Sequence, residues 1–385
     1  MTQASGPVRW AWADVDLDAV THNVRVLRAI VAPAAVWAVV KADGYGHGAF
    51  EVGSAALRAG AGGLCVALAS EGVSLRRSGI SAPILVLSEQ PPECADAIVE
   101  HHLTPTVSSA GGIGALADAS ATGAAGPLDV HLKVDTGMHR VGAAATDVAS
   151  LSLMIHDAPA LRLAGLFTHL AVADDPANPE TVEQIRRFDE VLATIGPGDL
   201  GNGVVHVANS AGALAHPAAR RSLVRVGIAL YGIAPGSDID IDSHRLRPAF
   251  ALMARVSFVR RLRAGDRLSY GLRHTMAADA NVATIPIGYA DGVRRNLSGL
   301  GASVLIGGTH REIIGTITMD QLMVDCGDDD VAIGDEVVLI GRQGDHVIRA
   351  EDWATRLGTI GYEIVCGIGP RVPRRYHATS FASAQ

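Results

Sequence analysis

The chain has 385 residues, a formal net charge of −8, 48% hydrophobic residues and only 4% aromatic residues. That length exceeds the ~250–300 residues at which a single core stops growing, so two domains are expected, with cores built from Ala, Val, Leu and Ile. The acidic balance argues against nucleic acid or an anionic membrane as the principal partner.

Residues 1–12 carry no basic stretch followed by an apolar one, so no secretory signal is expected. Leu17, Val20, Val24, Leu27 and Val31 recur at intervals of three and four, an amphipathic helix with Asp16 as its cap. The apolar run 29–40 contains Pro33 and is shorter than the ~18 residues a membrane span needs. Its end, 34–40, reads as a buried strand. Seven further β-branched runs follow at 64–68, 84–87, 104–107, 130–134, 165–169, 204–208 and 223–226, with helical stretches at 70–78, 94–101, 148–155 and 181–195. Eight strands alternating with helices predict a closed parallel (β/α)₈ barrel over residues 1–240. The segment 236–243 reads as a linker. Beyond it helical periodicity nearly vanishes, and runs at 251–262, 281–287, 303–306, 312–317, 322–325 and 336–340 predict a mainly β domain over residues 241–385. Cys65, Cys94, Cys326 and Cys366 are scattered, with no Cys-x-x-Cys pair, as expected of reduced thiols in a soluble cytoplasmic protein. The fifteen histidines cluster only at His101-His102, so no metal is expected.

Only two lysines, Lys41 and Lys133, stand against thirty arginines. Arginine stays protonated in proteins, whereas a desolvated lysine amine can lose its proton and act as a nucleophile or base. Lys41 closes the first barrel strand. Barrel enzymes build their sites at the C-terminal strand ends, and reading each end gives Lys41, then Lys133 with Asp135, His169, Asn209-Ser210, and Arg225 before Gly227. The glycines at 44, 46 and 48 do not form a nucleotide phosphate loop, because Lys41 precedes them. The hydroxyl of Ser210 and the backbone at 226–228 could still cradle a monophosphate. An amine and such a cradle in one barrel are the pattern expected for pyridoxal 5′-phosphate.

The segment Val40-Lys41-Ala42-Asp43-Gly44-Tyr45-Gly46-His47-Gly48 resembles the cofactor-lysine signature of alanine racemases. The likeness continues in order through His131–Arg140, Gly165–His169, His206–Ala211 and Arg225–Ile228. In the β-like half it runs through Ser269-Tyr270-Gly271, Gly288–Gly292, Met319-Asp320-Gln321, Gly361-Tyr362-Glu363 and Arg371–Arg374. The resemblance implies a fold-type III pyridoxal-phosphate enzyme that interconverts L- and D-alanine, supplying D-alanine for bacterial peptidoglycan. By the same likeness Lys41 carries the cofactor, and Tyr45, Ser210, Tyr362 and the backbone of Gly227 and Ile228 hold its phosphate. Arg225 faces the pyridine nitrogen, and His169 and Asn209 line the cofactor site. Lys41 and Tyr270 are implied as the two proton carriers, Tyr270 coming from the partner subunit of a homodimer. Lys133 is implied to be N6-carboxylated and to orient Arg140 on the substrate carboxylate, with Met319, Asp320 and Tyr289 on the substrate side.

Two stretches depart from the common pattern: Thr316-Ile317-Thr318 before Met319, and Gly369-Pro370 before Arg371. They bear on the entrance and the range of substrates. The alternatives are an amino acid decarboxylase of the same two-domain plan and a barrel-only cofactor carrier without turnover. A complete β-like half with Tyr270 argues against the carrier.

Overall fold

A computed structural model of the chain describes residues 9–121, 126–195 and 200–378. The outer ends of both expected domains, 1–8 and 379–385, lie outside the described residues. The chain divides into two compact units, one running from Ala19 to Arg247 and the other joining the segment that ends at Asp18 to everything from Pro248 onward.

The first unit is the barrel. After the first strand of the chain, β1 (Ala11–Asp16), and a helix at Leu17–Val31, its strands are β2 (Ala35–Val39), β3 (Gly63–Val66), β4 (Ile84–Val86), β5 (Thr106–Val107), β6 (Leu128–Lys133), β7 (Leu161–Phe167), β8 (Val204–His206) and β9 (Leu223–Val226). Parallel pairing links β4-β3-β2-β9 and, separately, β5-β6-β7-β8. Backbone bonds close both seams. Thr104 N donates to Ile84 O at 2.8 Å and Val86 N to Thr104 O at 2.9 Å, while Ser222 N reaches Val205 O at 2.9 Å and Arg225 N reaches Ala208 O at 3.0 Å. Strands covered on both faces read as unbroken apolar runs, and Val36, Ala38, Leu64, Val66, Leu85, Leu132, Leu166, Val224 and Val226 are all buried. Asp16 accepts from Asp18 N at 2.9 Å at the start of the first helix, as its position before the apolar periodicity suggested.

The second unit is mainly antiparallel sheet, and each strand's covered face accounts for its alternating pattern. Its further strands include β10 (Phe250–Arg255), β11 (Phe258–Leu262), β12 (Arg267–Leu268), β13 (His274–Thr275), β14 (Ala280–Ile285), β15 (Ser303–Ile306), β16 (Thr309–Ile314), β17 (Leu322–Asp325) and β18 (Glu336–Gln343). The run at 251–262 is two strands. β10 pairs with β1 and β18, and β11 with β14. Helices occur here too, at Ala350–Leu357 and Gly361–Cys366.

The division differs from the expected 1–240 and 241–385 at its start. β1 pairs antiparallel with β10, Trp12 opposite Met253, and parallel with the strand Arg374–His377, so it belongs to the second unit's sheet. The ladder is formed across more than two hundred residues, a pairing that local periodicity does not encode. No helix among the described residues is long and apolar enough to cross a membrane.

Candidate active site

Lys41 follows β2 directly, and what comes next is unusual backbone. Ala42, Asp43, Gly44, Tyr45 and Gly46 have φ of 52, 51, 61, 54 and 79°, a left-handed turn in five successive residues. For each residue with a side chain this costs ~1–2 kcal/mol, and such strain persists only where surroundings impose it. Here Gly44 N donates to Val40 O, Gly46 N to Ala42 O and Gly48 N to Asp43 O at 2.8–2.9 Å. Asp43 Oδ1 accepts from Ala49 N at 2.9 Å, and Ala42 N donates to Glu71 Oε1 at 2.6 Å. The glycines the sequence reading noticed are therefore the permissive members of a turn that reverses the chain behind the lysine.

The turn brings Tyr45 back onto the end of β9. A Cβ on Gly227 would lie 2.4 Å from the Tyr45 hydroxyl, so only glycine permits this approach. Ser210 Oγ accepts from Gly227 N at 2.9 Å and Ala229 N at 3.4 Å, which uses both acceptor positions of a hydroxyl and leaves its O–H as the remaining donor. Gly227 N–H is thus committed to Ser210 in this arrangement, and Ile228 opens the short 3₁₀ turn that follows. Asn209 Oδ1 caps the helix Ser210–Ala215 by accepting from Gly212 N at 2.9 Å. Two hydroxyls beside a glycine at one strand end are a donor set that suits a phosphate monoester.

Arg225 is only 2% exposed. Its Nη1 donates to His206 Nδ1 at 2.6 Å, and Nη2 donates to the carbonyls of Thr168 and Val207 at 2.9 and 3.0 Å and to His169 Nδ1 at 3.3 Å. These partners are imidazoles and carbonyls, not a carboxylate. Burial lowers the guanidinium pKa to about 10, which still leaves it charged at neutral pH. Because guanidinium only donates, both histidines accept through Nδ1 and carry their proton on Nε2. Burial first, then the Arg225 charge, holds His169 and His206 well below the usual imidazole range, so both are neutral. His206 in turn reaches His131 Nδ1 at 2.9 Å through Nε2 and stacks on Phe167 with ring centroids 4.5 Å apart. A buried cation facing a neutral heteroaromatic nitrogen is what this arrangement can offer a pyridine ring.

Lys133, 4% exposed at the end of β6, donates to Leu87 O at 3.3 Å and lies 5.4 Å from the Phe167 ring centre. Burial, followed by the charges of Arg225, Arg140 and Lys41, lowers its pKa to about 8 against an opposing push from Asp135. Arg140 is exposed midway along the loop between β6 and the 3₁₀ turn Ala145–Asp147. Asp135 Oδ1 fixes that loop, accepting from Gly137, Met138 and His139 N at 2.9–3.1 Å. Burial raises the Asp135 pKa, but these amides and the His139 charge outweigh it, so the carboxyl sits below its ordinary value. Cys65, beside this cluster on β3, is no competing nucleophile, since burial pushes its thiol up to about 12 despite Arg225.

The remaining expected residues lie in the second unit. Tyr270 opens a 3₁₀ turn whose Ser269 has φ 62°, and it is 73% exposed. Its carbonyl accepts from Thr316 Oγ1 at 3.0 Å, while Ser269 Oγ donates to Thr316 O at 2.6 Å. The turn is rooted by Leu268, which packs with Met276, Ala280, Val282 and Ile314. Tyr289 and Met319 are brought together, with Tyr289 N donating to Thr318 O and Ala290 N to Met319 O, both at 3.0 Å. Met319 is 52% exposed, whereas the Asp320 carboxylate is taken by Arg371 at 2.7 Å. Arg371 also approaches the fully buried Asp291, which pairs with Arg9 at 2.6 Å. Tyr362 is the second residue of the helix Gly361–Cys366.

Sequence reasoning did not single out Glu71, His206 or His131 by their chemistry. His131 and His206 stand within the apolar strands β6 and β8 and were visible only as letters of the resemblance. Glu71 stands at the start of the helix Ala69–Arg77, where an acidic residue is ordinarily a cap.

Sequence models of the alanine racemase N-terminal and C-terminal domains match residues 15–235 and 249–376. Among curated proteins, the alanine racemase of Symbiobacterium thermophilum is 45% identical over 96% of this chain and 97% of its own length. Alanine racemase 1 of Bacillus subtilis is 41% identical over 96% and 93%. Among solved structures, the alanine racemase of E. faecalis superposes with a TM-score of 0.91 at 36% identity, covering 96% of this chain and 98% of that one. The enzyme of D-cycloserine-producing Streptomyces lavendulae gives 0.92 at 35% identity, over 98% and 100%. With both domains matched, and relatives aligned almost end to end, the chain belongs to the alanine racemase family, a family of isomerases.

Proposed function

We propose that the protein racemises alanine with pyridoxal 5′-phosphate by a two-base mechanism. The observation that carries this reading is the barrel mouth, where Lys41, the grouped Ser210, Tyr45 and Gly227, and a buried Arg225 bonded to imidazoles and carbonyls stand at neighbouring strand ends. Bound through the Lys41 amine, the cofactor would make the α-hydrogen of an amino acid acidic enough to remove. Ser210, Tyr45, Tyr362 and the backbone after Gly227 would hold the phosphate end. Arg225 would donate to the ring nitrogen without surrendering its proton, which would keep that nitrogen neutral and disfavour transamination.

Inversion requires a proton to leave one face of Cα and return on the other. Lys41 carries the proton on the D side and Tyr270 on the L side. Neutral His169, with its Nδ1 engaged by Arg225, keeps its Nε2–H as the donor proposed for the Tyr270 phenol of the second copy. Arg140 binds the substrate carboxylate through its planar fork. An amine titrating near 8 is neutral in about a tenth of molecules at pH 7, and only a neutral amine adds to carbon dioxide. Lys133 thereby becomes a carbamate, releases one proton, and adds to Asp135 a second anion among these cations, orienting Arg140. Tyr289 and Met319 shape the entrance, with Asp320 holding their loop through Arg371.

The exposed Tyr270 is read as a group presented to the barrel mouth of a second copy, so the working enzyme is a homodimer with shared sites. The expected location is the cytoplasm and the expected role is supply of D-alanine for peptidoglycan. The deciding experiment is loss of optical rotation from L-alanine by the purified protein with the cofactor, run beside a panel of other L-amino acids. Carbon dioxide release without racemisation would point to a decarboxylase, and cofactor binding without either would point to a carrier.

A further inference from the structure

We propose that Glu71 is a positioning residue for Lys41, acting as the clamp that holds the left-handed turn behind it. Glu71 stands one strand further on in chain order, on the helix Ala69–Arg77 after β3, the parallel neighbour of β2. Its Oε2 accepts from Ala67 N at 2.8 Å and Leu68 N at 3.1 Å, which is the ordinary work of a carboxylate at a helix start. Its Oε1 does something a cap does not need, accepting from Ala42 N at 2.6 Å, beyond the end of the neighbouring strand β2. Ala42 is the first residue of the left-handed run and the immediate neighbour of Lys41. On the other side of the lysine, Val40 N donates to Cys65 O at 2.9 Å. The residues on either side of Lys41 are therefore both fastened, through their N–H groups, to β3 and the helix that follows it, Val40 by a backbone carbonyl and Ala42 by Glu71.

A charged acceptor makes the stronger kind of hydrogen bond, and it is spent where the backbone most needs it. Ala42, Asp43 and Tyr45 all carry a Cβ in a conformation that L-residues avoid. Without the Ala42 bond the first of them would relax toward right-handed φ, and the direction in which Lys41 leaves the strand would change with it. Aiming a proton carrier to within a fraction of an ångström depends on such support. This inference rests on the reading of Lys41 as a proton carrier, but its structural half can be measured without that reading.

The test uses Glu71→Gln, which keeps the length and removes one acceptor, so Ala42 N and the Ala67/Leu68 pair cannot both be satisfied. In the cofactor-loaded protein, hydrogen exchange read by mass spectrometry should quicken at least ~10-fold over residues 42–48, the loss expected for one charge-assisted bond, while the β9 segment keeps its protection. Turnover should fall, and α-proton exchange should fall further from D-alanine than from L-alanine. The decisive arm is the double variant Ala42→Gly with Glu71→Gln. Glycine adopts the left-handed region without penalty, so the clamp becomes less necessary and both exchange protection and turnover should recover severalfold. A Glu71 that only caps its own helix would gain nothing from a change at position 42.

Unchanged exchange in Glu71→Gln, quickened exchange with wild-type turnover, or no recovery in the double variant would each overturn the proposal. Should Glu71→Gln alone not accumulate as folded protein, the double variant carries the test, because recovery of folded protein has the same meaning and continued failure the opposite one. Equal loss from both enantiomers, with quickened exchange and recovery, would support the clamp while removing the assignment of Lys41 to the D side.

Discussion

The barrel mouth and the Tyr270 turn are built on opposite plans. In the barrel, Arg225, Lys133 and His169 have their partners fixed within the same unit, and burial with mutual repulsion has already moved their proton affinities. In the second unit the Tyr270 backbone is anchored to Thr316 and rooted on Leu268, but its ring is 73% exposed. One region is prepared in its electrostatics and the other in its position. The difference teaches that the barrel groups are set by burial and by one another's charge, whereas the second unit presents a phenol whose backbone is held at a definite place.

If that division is right, removing the barrel's amine is the most damaging single change. Lys41→Ala should abolish turnover, with a loss beyond the ~10²- to 10⁴-fold of one acid/base group, because in the proposed function the same side chain also carries the cofactor. Borohydride treatment of the wild type should leave the cofactor label on the Lys41 peptide. A label on Lys133 would reverse the roles of the two lysines.

Tyr270→Phe keeps the exposed ring and deletes only the proposed proton carrier, so a loss of ~10²- to 10⁴-fold is expected. Solvent deuterium should still enter the α-position from D-alanine and fail to enter from L-alanine. Mixing Lys41→Ala with Tyr270→Phe protein sharpens the comparison. If the two regions meet between copies, half of a random mixture is heterodimer with one competent site of two, restoring about a quarter of wild-type sites. No recovery after verified subunit exchange would remove the shared site.

Lys133 tests whether the mouth needs an anion among its cations. Lys133→Ala should reduce turnover by about 10- to 100-fold, the equivalent of one hydrogen bond to a charged group, leave cofactor binding intact, and recover in part with a small added carboxylate. A fully active variant, with a free ammonium at position 133 under ample bicarbonate, would end the carbamate assignment.

What the sequence made legible follows the same division. Strand ends in a barrel converge by topology, so Lys41, Lys133, His169, Ser210 and Arg225 could be grouped before any coordinates. The tuning partners were hidden. His206 and His131 look like polar letters inside apolar strands, and their alignment with Arg225 depends on neighbours paired across the barrel wall. The left-handed turn after Lys41 was foreshadowed by Gly44, Gly46 and Gly48, yet positive φ at Ala42, Asp43 and Tyr45 runs against local preference and is imposed by contacts such as that with Glu71. β1 joined the second sheet through a ladder to residues 250–254, for which no local pattern exists.

The smallest effect concerns stability, and its sign follows from burial of the second lysine. In the unfolded chain Lys133 titrates near its ordinary 10.5, whereas burial and the neighbouring cations bring it to about 8 in the folded barrel. Between those values the unfolded state binds the extra proton and the folded state does not, so this site's contribution makes stability rise with pH from about 8 to 10.5. Below about 8 both states are protonated and the contribution stops changing, leaving the full penalty of a buried ammonium. Lys133→Met keeps the aliphatic bulk and removes the titration. In buffers freed of carbon dioxide, the difference in urea midpoint between Lys133→Met and wild type should therefore be largest near pH 7, favouring Met, and shrink as pH approaches 10. Carbamylation opposes this trend, because a carbamate replaces the unfavourable ammonium with an anion that the surrounding cations welcome. Adding bicarbonate should then stabilise the wild type and leave Lys133→Met unmoved. A midpoint difference independent of pH and of bicarbonate would mean that the amine is solvated in the folded protein and that the barrel has not tuned it.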